Sequence, residues 1–336
     1  MKRRSAAVCL AVAAWVWAAA SVGAQTSPVE ALREAAKLGP LERDAALRLA
    51  ALELAQGNAE AAAIQLRSVI ERFDSVHARF ELARLEARRG DNSQALAYLG
   101  EALKIAPNSE DLLSAYARVA LAVDAPVTAI ETLEALTRMH PSSADYFYLL
   151  GVAKFEIAES NGAVEALGRA LELEPDNSRA LIARGLVFNF LKRYPDSQAS
   201  LQRSLQLMPG NVDALIALAE AEVGLGDLAA AERSVQRALE LAPEAPAALY
   251  VVGRIRMEQE RYGEARDAFV RSAALDPGSS KTHYQLSLAY ARLGDAESSA
   301  EHLERYRVEV RREQARLSDL LTRAGVGVSG MGGVGG

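Results

Sequence analysis

The chain of 336 residues has one cysteine and two tryptophans, and Cys9, Trp15 and Trp17 all stand near its start. A sequence with no other thiol can form no disulfide within itself and offers no thiolate site for zinc. Histidine is scarce too: His77, His140, His283 and His302 are scattered, and none has the spacing of H-E-x-x-H or a comparable metal motif. There is no Gly-rich phosphate loop between a strand and a helix, and no G-x-S-x-G elbow. Asp and Glu number 44 against 38 Lys and Arg, a formal charge of −6, so the wide basic surface that nucleic acid requires is missing. We therefore assign no catalytic, cofactor-binding or metal residue and expect no nucleic-acid partner.

What the chain does have is a period. Pro107, Pro141, Pro175, Pro209, Pro243 and Pro277 stand 34 residues apart five times in succession, the mark of stacked supersecondary units. A small residue recurs in the first half of each unit: Ala50, Ala83, Ala117, Gly151, Gly185, Ala219, Gly253 and Ser287. A second follows twelve residues later, at Ala62, Ala95, Ala129, Ala163, Ser197, Ala231, Ala265 and Ser299. Four further on comes an apolar residue: Leu66, Leu99, Leu133, Leu167, Leu201, Val235, Phe269 and Leu303. Small residues at fixed places let two helix backbones approach, and the bulky one fills the gap, so the unit reads as a pair of antiparallel helices.

The punctuation agrees. Gly57-Asn58, Gly90-Asp91, Gly226-Asp227 and Gly294-Asp295 fall at mid-unit, where glycine ends one helix and the Asx residue caps the next. After each proline, Ser109, Ser143, Asn177, Asn211 and Ser279 are placed to cap the following helix, and Pro246 suits a first helical turn.

This pattern resembles that of the tetratricopeptide repeat family, W-x2-L-G-x2-Y, then A-x3-F, then P. It is matched best by Leu215, Leu218, Ala219, Ala231, Val235, Ala238 and Pro243, and by Phe147, Leu150, Gly151, Ala163, Leu167, Ala170 and Pro175. The resemblance spans residues 43–313 and implies an all-α fold, a right-handed superhelical solenoid of about eight helix pairs. The usual aromatic near the end of the first helix survives only as Phe188 and Tyr290. Arg184 stands where other repeats have Leu, Val or Tyr, and is expected to snorkel its head to solvent.

Residues 27–42 open with a capping box, Ser27-Pro28-Val29-Glu30, and read as a capping helix or half-repeat. Beyond the repeats, residues 314–324 finish a charged capping helix, and the Gly-rich residues 325–336 are expected to be disordered. At the other end, Lys2-Arg3-Arg4, the apolar run from Ala6 to Val22 and the small residues before Gln25 have the three parts of a secretory signal peptide, residues 1–24. A retained anchor is the alternative. Either way the repeats are exported, and cleavage near Ala24 leaves a periplasmic or extracellular chain with no stable membrane insertion and a charge of −9, since Lys2, Arg3 and Arg4 go with the leader.

With chemistry set aside, surface remains. The resemblance implies that the first helix of each pair lines a concave groove, and the positions facing away from its small residue can be read off. They are Phe80, Arg84, Arg88, Arg118, Tyr148, Phe155, Ile182, Asn189, Phe190, Ile216, Tyr250, Arg254, Met257, Tyr284 and Arg292, with Val152 and Leu186 beside them. Aromatic residues, Met and Arg are the types enriched at protein interfaces. The expected partner is therefore another protein or peptide segment, held by a non-enzymatic scaffold. The alternative is a structural subunit of an envelope secretion, polysaccharide-export or outer-membrane assembly complex, docking through its convex face or ends.

The leader reading is checked by N-terminal sequencing of the exported protein. Gln25 is the expected first residue, and Met1 on a membrane-bound form would establish an anchor instead.

Overall fold

The computed structural model describes residues 27–323; the leader and the Gly-rich tail expected from the sequence lie outside them. Seventeen helices and no strand occur among the described residues: α1 Pro28–Leu38, α2 Arg43–Ala55, α3 Ala59–Phe73, α4 Val76–Arg88, α5 Asn92–Ile105, α6 Glu110–Ala122, α7 Pro126–Met139, α8 Ala144–Glu156, α9 Ser160–Leu173, α10 Ser178–Phe190, α11 Tyr194–Leu207, α12 Val212–Leu225, α13 Leu228–Leu241, α14 Pro246–Glu258, α15 Tyr262–Leu275, α16 Ser280–Arg292 and α17 Ala296–Arg323. The fold is an all-α array of repeated helix pairs. It divides into two compact units, one ending at Val123 and the other beginning at Asp124.

The close approach predicted within each pair is present. A Cβ added to Gly151 would lie 2.5 Å from Leu167 Cγ and 3.2 Å from the Ala163 carbonyl, and one on Gly185 would lie 2.5 Å from Leu201 Cγ. At Gly253 the Phe269 ring is as close. Leu167, Leu201 and Phe269 are fully buried by these contacts. Where the second small residue is serine, its hydroxyl is satisfied across the same gap: Ser197 Oγ donates to the Gly185 carbonyl and Ser299 Oγ to that of Ser287, each at 2.8 Å. In the first unit the core is built from Leu49, Leu66, Val69 and Leu82, onto which α1 adds Val29.

Each pair turns through one residue of positive φ. Gly57, Gly90, Gly226 and Gly294 occupy it in four repeats, at φ of 79 to 85°. In the other four the same position holds Asp124, Ala158, Lys192 and Glu260, at 56 to 62°. Left-handed backbone is disfavoured for residues with a Cβ, least so for Asp. The turn is thus dictated by pair packing and retained where the sequence opposes it.

Caps follow the Asx residues more closely than the serines. Asp91, Asp227 and Asp295 each accept the backbone N–H three residues on at 3.0 Å, and Asn177 and Asn211 do so at 3.1 and 2.8 Å. Contrary to the sequence reading, Ser109, Ser143 and Ser279 make no side-chain cap bond. Asn58 instead donates to Glu53 Oε2 at 2.8 Å, in a partly buried ion pair with Arg33 from α1. The Ser27–Glu30 capping box closes both ways, at 2.9 and 3.3 Å.

Two substitutions of opposite sign check this register. Gly151→Ala should lower the urea midpoint, by about 1 to 3 kcal/mol of overpacking. Gly168→Ala, in an α9 site with nothing within 4 Å, should raise it by roughly 0.5 to 1 kcal/mol. Separately, Lys192→Gly and Glu260→Gly should each stabilise, by a few tenths of a kcal/mol to about 1, because relief of the left-handed strain outweighs the added chain entropy. A loss of stability in both would mean that these turns are not strained.

Candidate functional site

Of the residues read as groove-lining, Phe80, Arg84, Arg88 and Arg118 belong to the first unit and the rest to the second. In the first unit the three arginines are exposed and Phe80 is half-buried. Arg84 donates to Glu81 Oε1 at 2.8 Å, with its guanidinium 5.9 Å from the Phe80 ring. Arg84 and Arg88 also line, with His77, Leu47 and Leu54, a cleft of about 450 Å³ between α2 and α4.

In the second unit the apolar residues concentrate on α8 and α10. Phe155 and Phe190 meet edge to face, 5.6 Å between centroids, and Phe190 remains 62% exposed. Leu186, one turn before Phe190, is 39% exposed. Tyr148 is half-buried and carries the Arg179 guanidinium 4.9 Å above its ring. These side chains are held by firm neighbours, since the helices behind them bury Leu167, Ala170 and Leu181.

Other residues expected here are placed differently. Ile216 and Tyr250 are buried, 8% and 7% exposed, in the core cluster of α12 to α16. The small side chains that bring the helices together also bring the first helices of successive pairs into contact, which covers both residues. Tyr250 packs 5.7 Å from Phe269, with Lys281 Nζ 4.7 Å over its ring, and burial raises its hydroxyl pKa. Asn189 is spent structurally: its Nδ2 donates to the Ala217 carbonyl at 2.7 Å and ties α10 to α12. Ile182, Arg254 and Met257 are half-buried, while Tyr284 and Arg292 are exposed.

Arg184 does not extend freely into solvent as its position suggested. Its Nε donates to Ser200 Oγ at 3.2 Å, and desolvation lowers its pKa, opposed by the charge of Asp196.

Two histidines separated by 19 residues in sequence meet in the structure, which no local motif signals. His283 Nε2–H donates to the Pro277 carbonyl at 3.0 Å, which leaves His283 Nδ1 to accept from His302 Nδ1–H at 3.2 Å. His302 is in turn stacked on Tyr290, centroids 5.5 Å apart. Among the described residues no group of three or more His, Cys, Asp or Glu could hold a metal ion, and no helix is long and apolar enough to cross a membrane.

One sequence model described as a tetratricopeptide repeat matches residues 157–212, 216–280 and 256–315, and a second with the same description matches 86–152. No curated protein matches. Among solved structures, a tetratricopeptide repeat protein from Parabacteroides merdae is 15% identical, with 74% of this chain and 98% of that one covered and a TM-score of 0.59. The APC/C hetero-tetramer Cut9-Hcn1 is 18% identical, covering 90% and 60%, at 0.58. Pseudomonas aeruginosa pilF is 22% identical, covering 63% and 96%, at 0.51. At these identities the likeness is one of fold.

The histidine pair generates a pH prediction. Desolvation first, then His283 and Arg305, hold the His302 pKa below its ordinary value, against Glu301. A depressed pKa means that the unfolded chain binds the proton more readily, so this stability is present above about pH 6.5 and is lost as pH falls through the folded value. Protection factors of the α16 and α17 amides, corrected for the intrinsic slowing of exchange toward acid, should fall below about pH 6.5 in the parent more than in His302→Phe, which places an aromatic ring there but cannot titrate. An equal fall in both would remove His302 as the cause.

Proposed function

The chain belongs to the tetratricopeptide repeat family, and from that premise we propose that it is a non-enzymatic, exported scaffold that binds a segment of another protein on the first-helix face of its second unit. The observation that carries this reading is Phe190: a phenylalanine 62% exposed, fixed edge to face on Phe155 and flanked by Leu186. Apolar side chains exposed together on one face, as Phe190 and Leu186 are beside Phe155, rather than scattered singly, mark interaction surfaces. A preordered aromatic anchor keeps the entropy cost of binding low. Arg179, above Tyr148 and 3.3 Å from Asp145, puts a largely exposed guanidinium at the edge, with donors left over for a carbonyl-rich segment.

Export rests on the three-part leader in residues 1–24, and with it the repeats would work in the periplasm or outside the cell. The acidic balance of the chain speaks against nucleic acid. Docking as a structural subunit of an envelope complex through the opposite face or the ends is the competing reading, and it differs in which helices touch the partner.

A photo-crosslinking residue placed at Phe190 or Leu186 on α10 should capture the partner, whereas one at exposed Glu165 on α9 should not. With the captured protein purified, Phe155→Ser with Phe190→Ser should weaken binding by several hundredfold, since two anchors of this type carry roughly 2 kcal/mol each. Helicity should stay near the parent, with melting lowered only modestly, because Phe190 is exposed and Phe155 is half-buried at the margin of its core cluster. Capture from Glu165 alone would favour the structural-subunit reading.

A further inference from the structure

The last helix of the second unit, α17, has 28 residues, about 42 Å at 1.5 Å per residue, whereas α16 beside it has 13. The first half of α17 packs on α16 through His302 and through Tyr306, which lies 5.2 Å from Tyr284 between ring centroids. The second half runs past the end of α16. Even so, Val310 and Leu317 along it stay half-buried, continuing the face that Tyr306 and Glu309 begin in the first half. Near its far end Arg316 closes a contact across 192 residues, its Nε and Nη2 donating to the two carboxylate oxygens of Asp124, the former at 2.7 Å. Asp124 is the left-handed turn residue just before α7, and α7 itself touches α17.

The place where Arg316 lands is acidic. The guanidinium holds the Asp124 carboxyl below the usual range. Glu156, at the end of α8, is held above it by desolvation and then by the charge of Asp124, with Arg316 opposing. One cation from α17 therefore answers two carboxylates on the same edge. The contact is weak, because the Arg316 and Asp124 side chains are 67% and 44% exposed, and an exposed pair shifts an equilibrium by about fivefold at most.

We propose that the second half of α17 is a displaceable self-ligand, and that the edge it covers at Asp124 and Glu156 accepts an amphipathic helix of a partner protein carrying an arginine in the place of Arg316. The complementary charge and the helix already seated there define the occupant. The site stands whether or not the Phe155–Phe190 face binds anything.

The test uses the full chain with Cys9→Ser, spin labels at Glu131→Cys on α7 and Glu313→Cys on α17, and pulsed-EPR distances. The parent should show a dominant short distance, Arg316→Glu a shift to long distances, and Asp124→Lys with Arg316→Glu a return to the short one. Lysine is tolerated at that turn, since Lys192 holds the same position in its own repeat. A fluorescent synthetic peptide of residues 300–319 should bind Arg316→Glu about fivefold more tightly than the parent and should lose binding to Asp124→Lys, or to Asp124→Asn if the lysine variant unfolds. An unchanged distance in Arg316→Glu, or peptide binding indifferent to Asp124, overturns the proposal. So does a short distance that depends on protein concentration, because the occupant would then be a second copy.

Discussion

Everything in this chain depends on how closely two helices can pass at one point in each pair. At Gly151, Gly185 and Gly253 the gap is too small for a Cβ, and Leu167, Leu201 and Phe269 fill it from the facing helix. That contact sets the spacing of the pair and so where the first helices of successive pairs meet. It thereby decides which side chains reach water. Tyr250 and Ile216 are covered as a consequence, and Phe190 and Leu186 are left in the open. Dispersion and apolar burial within such close-packed layers supply the stability that disulfides cannot give this chain.

The pair geometry also fixes the turns. Eight positions at a 33- or 34-residue interval take positive φ, and only half of them are glycine. The non-glycine turns show that packing overrides local preference by a modest margin, as expected when each left-handed residue costs on the order of 1 kcal/mol. At Asp124 the same turn carries the carboxylate that Arg316 of α17 reaches, so a backbone requirement and an electrostatic contact coincide in one residue.

Much of the fold was legible because small residue, small residue and bulky residue recur in register eight times, and the closing proline six times, which leaves one helix-pair solution. The turns at Asp124, Ala158, Lys192 and Glu260 were not legible, since nothing in those side chains announces left-handed backbone. Burial at Tyr250 was missed because the first-helix pattern shows which way a residue points but not how near the next pair lies. Phe155 and Phe190, 35 residues apart, were each identified as surface candidates, yet their edge-to-face contact depends on the packing of α8 against α10. The His283–His302 bond and the Arg316–Asp124 pair join positions that no motif links, so only the folded chain brings them together.

The functional reading comes down to whether α8 and α10 present their Phe155–Phe190 face to another protein. Hydrogen–deuterium exchange of the full chain, alone and saturated with its captured partner, measures this most directly. Slower exchange over Tyr148–Phe155 and Ile182–Phe190, with α9 and α11 unchanged, is the predicted result. Protection confined to α9, α11 or other second helices would contradict it.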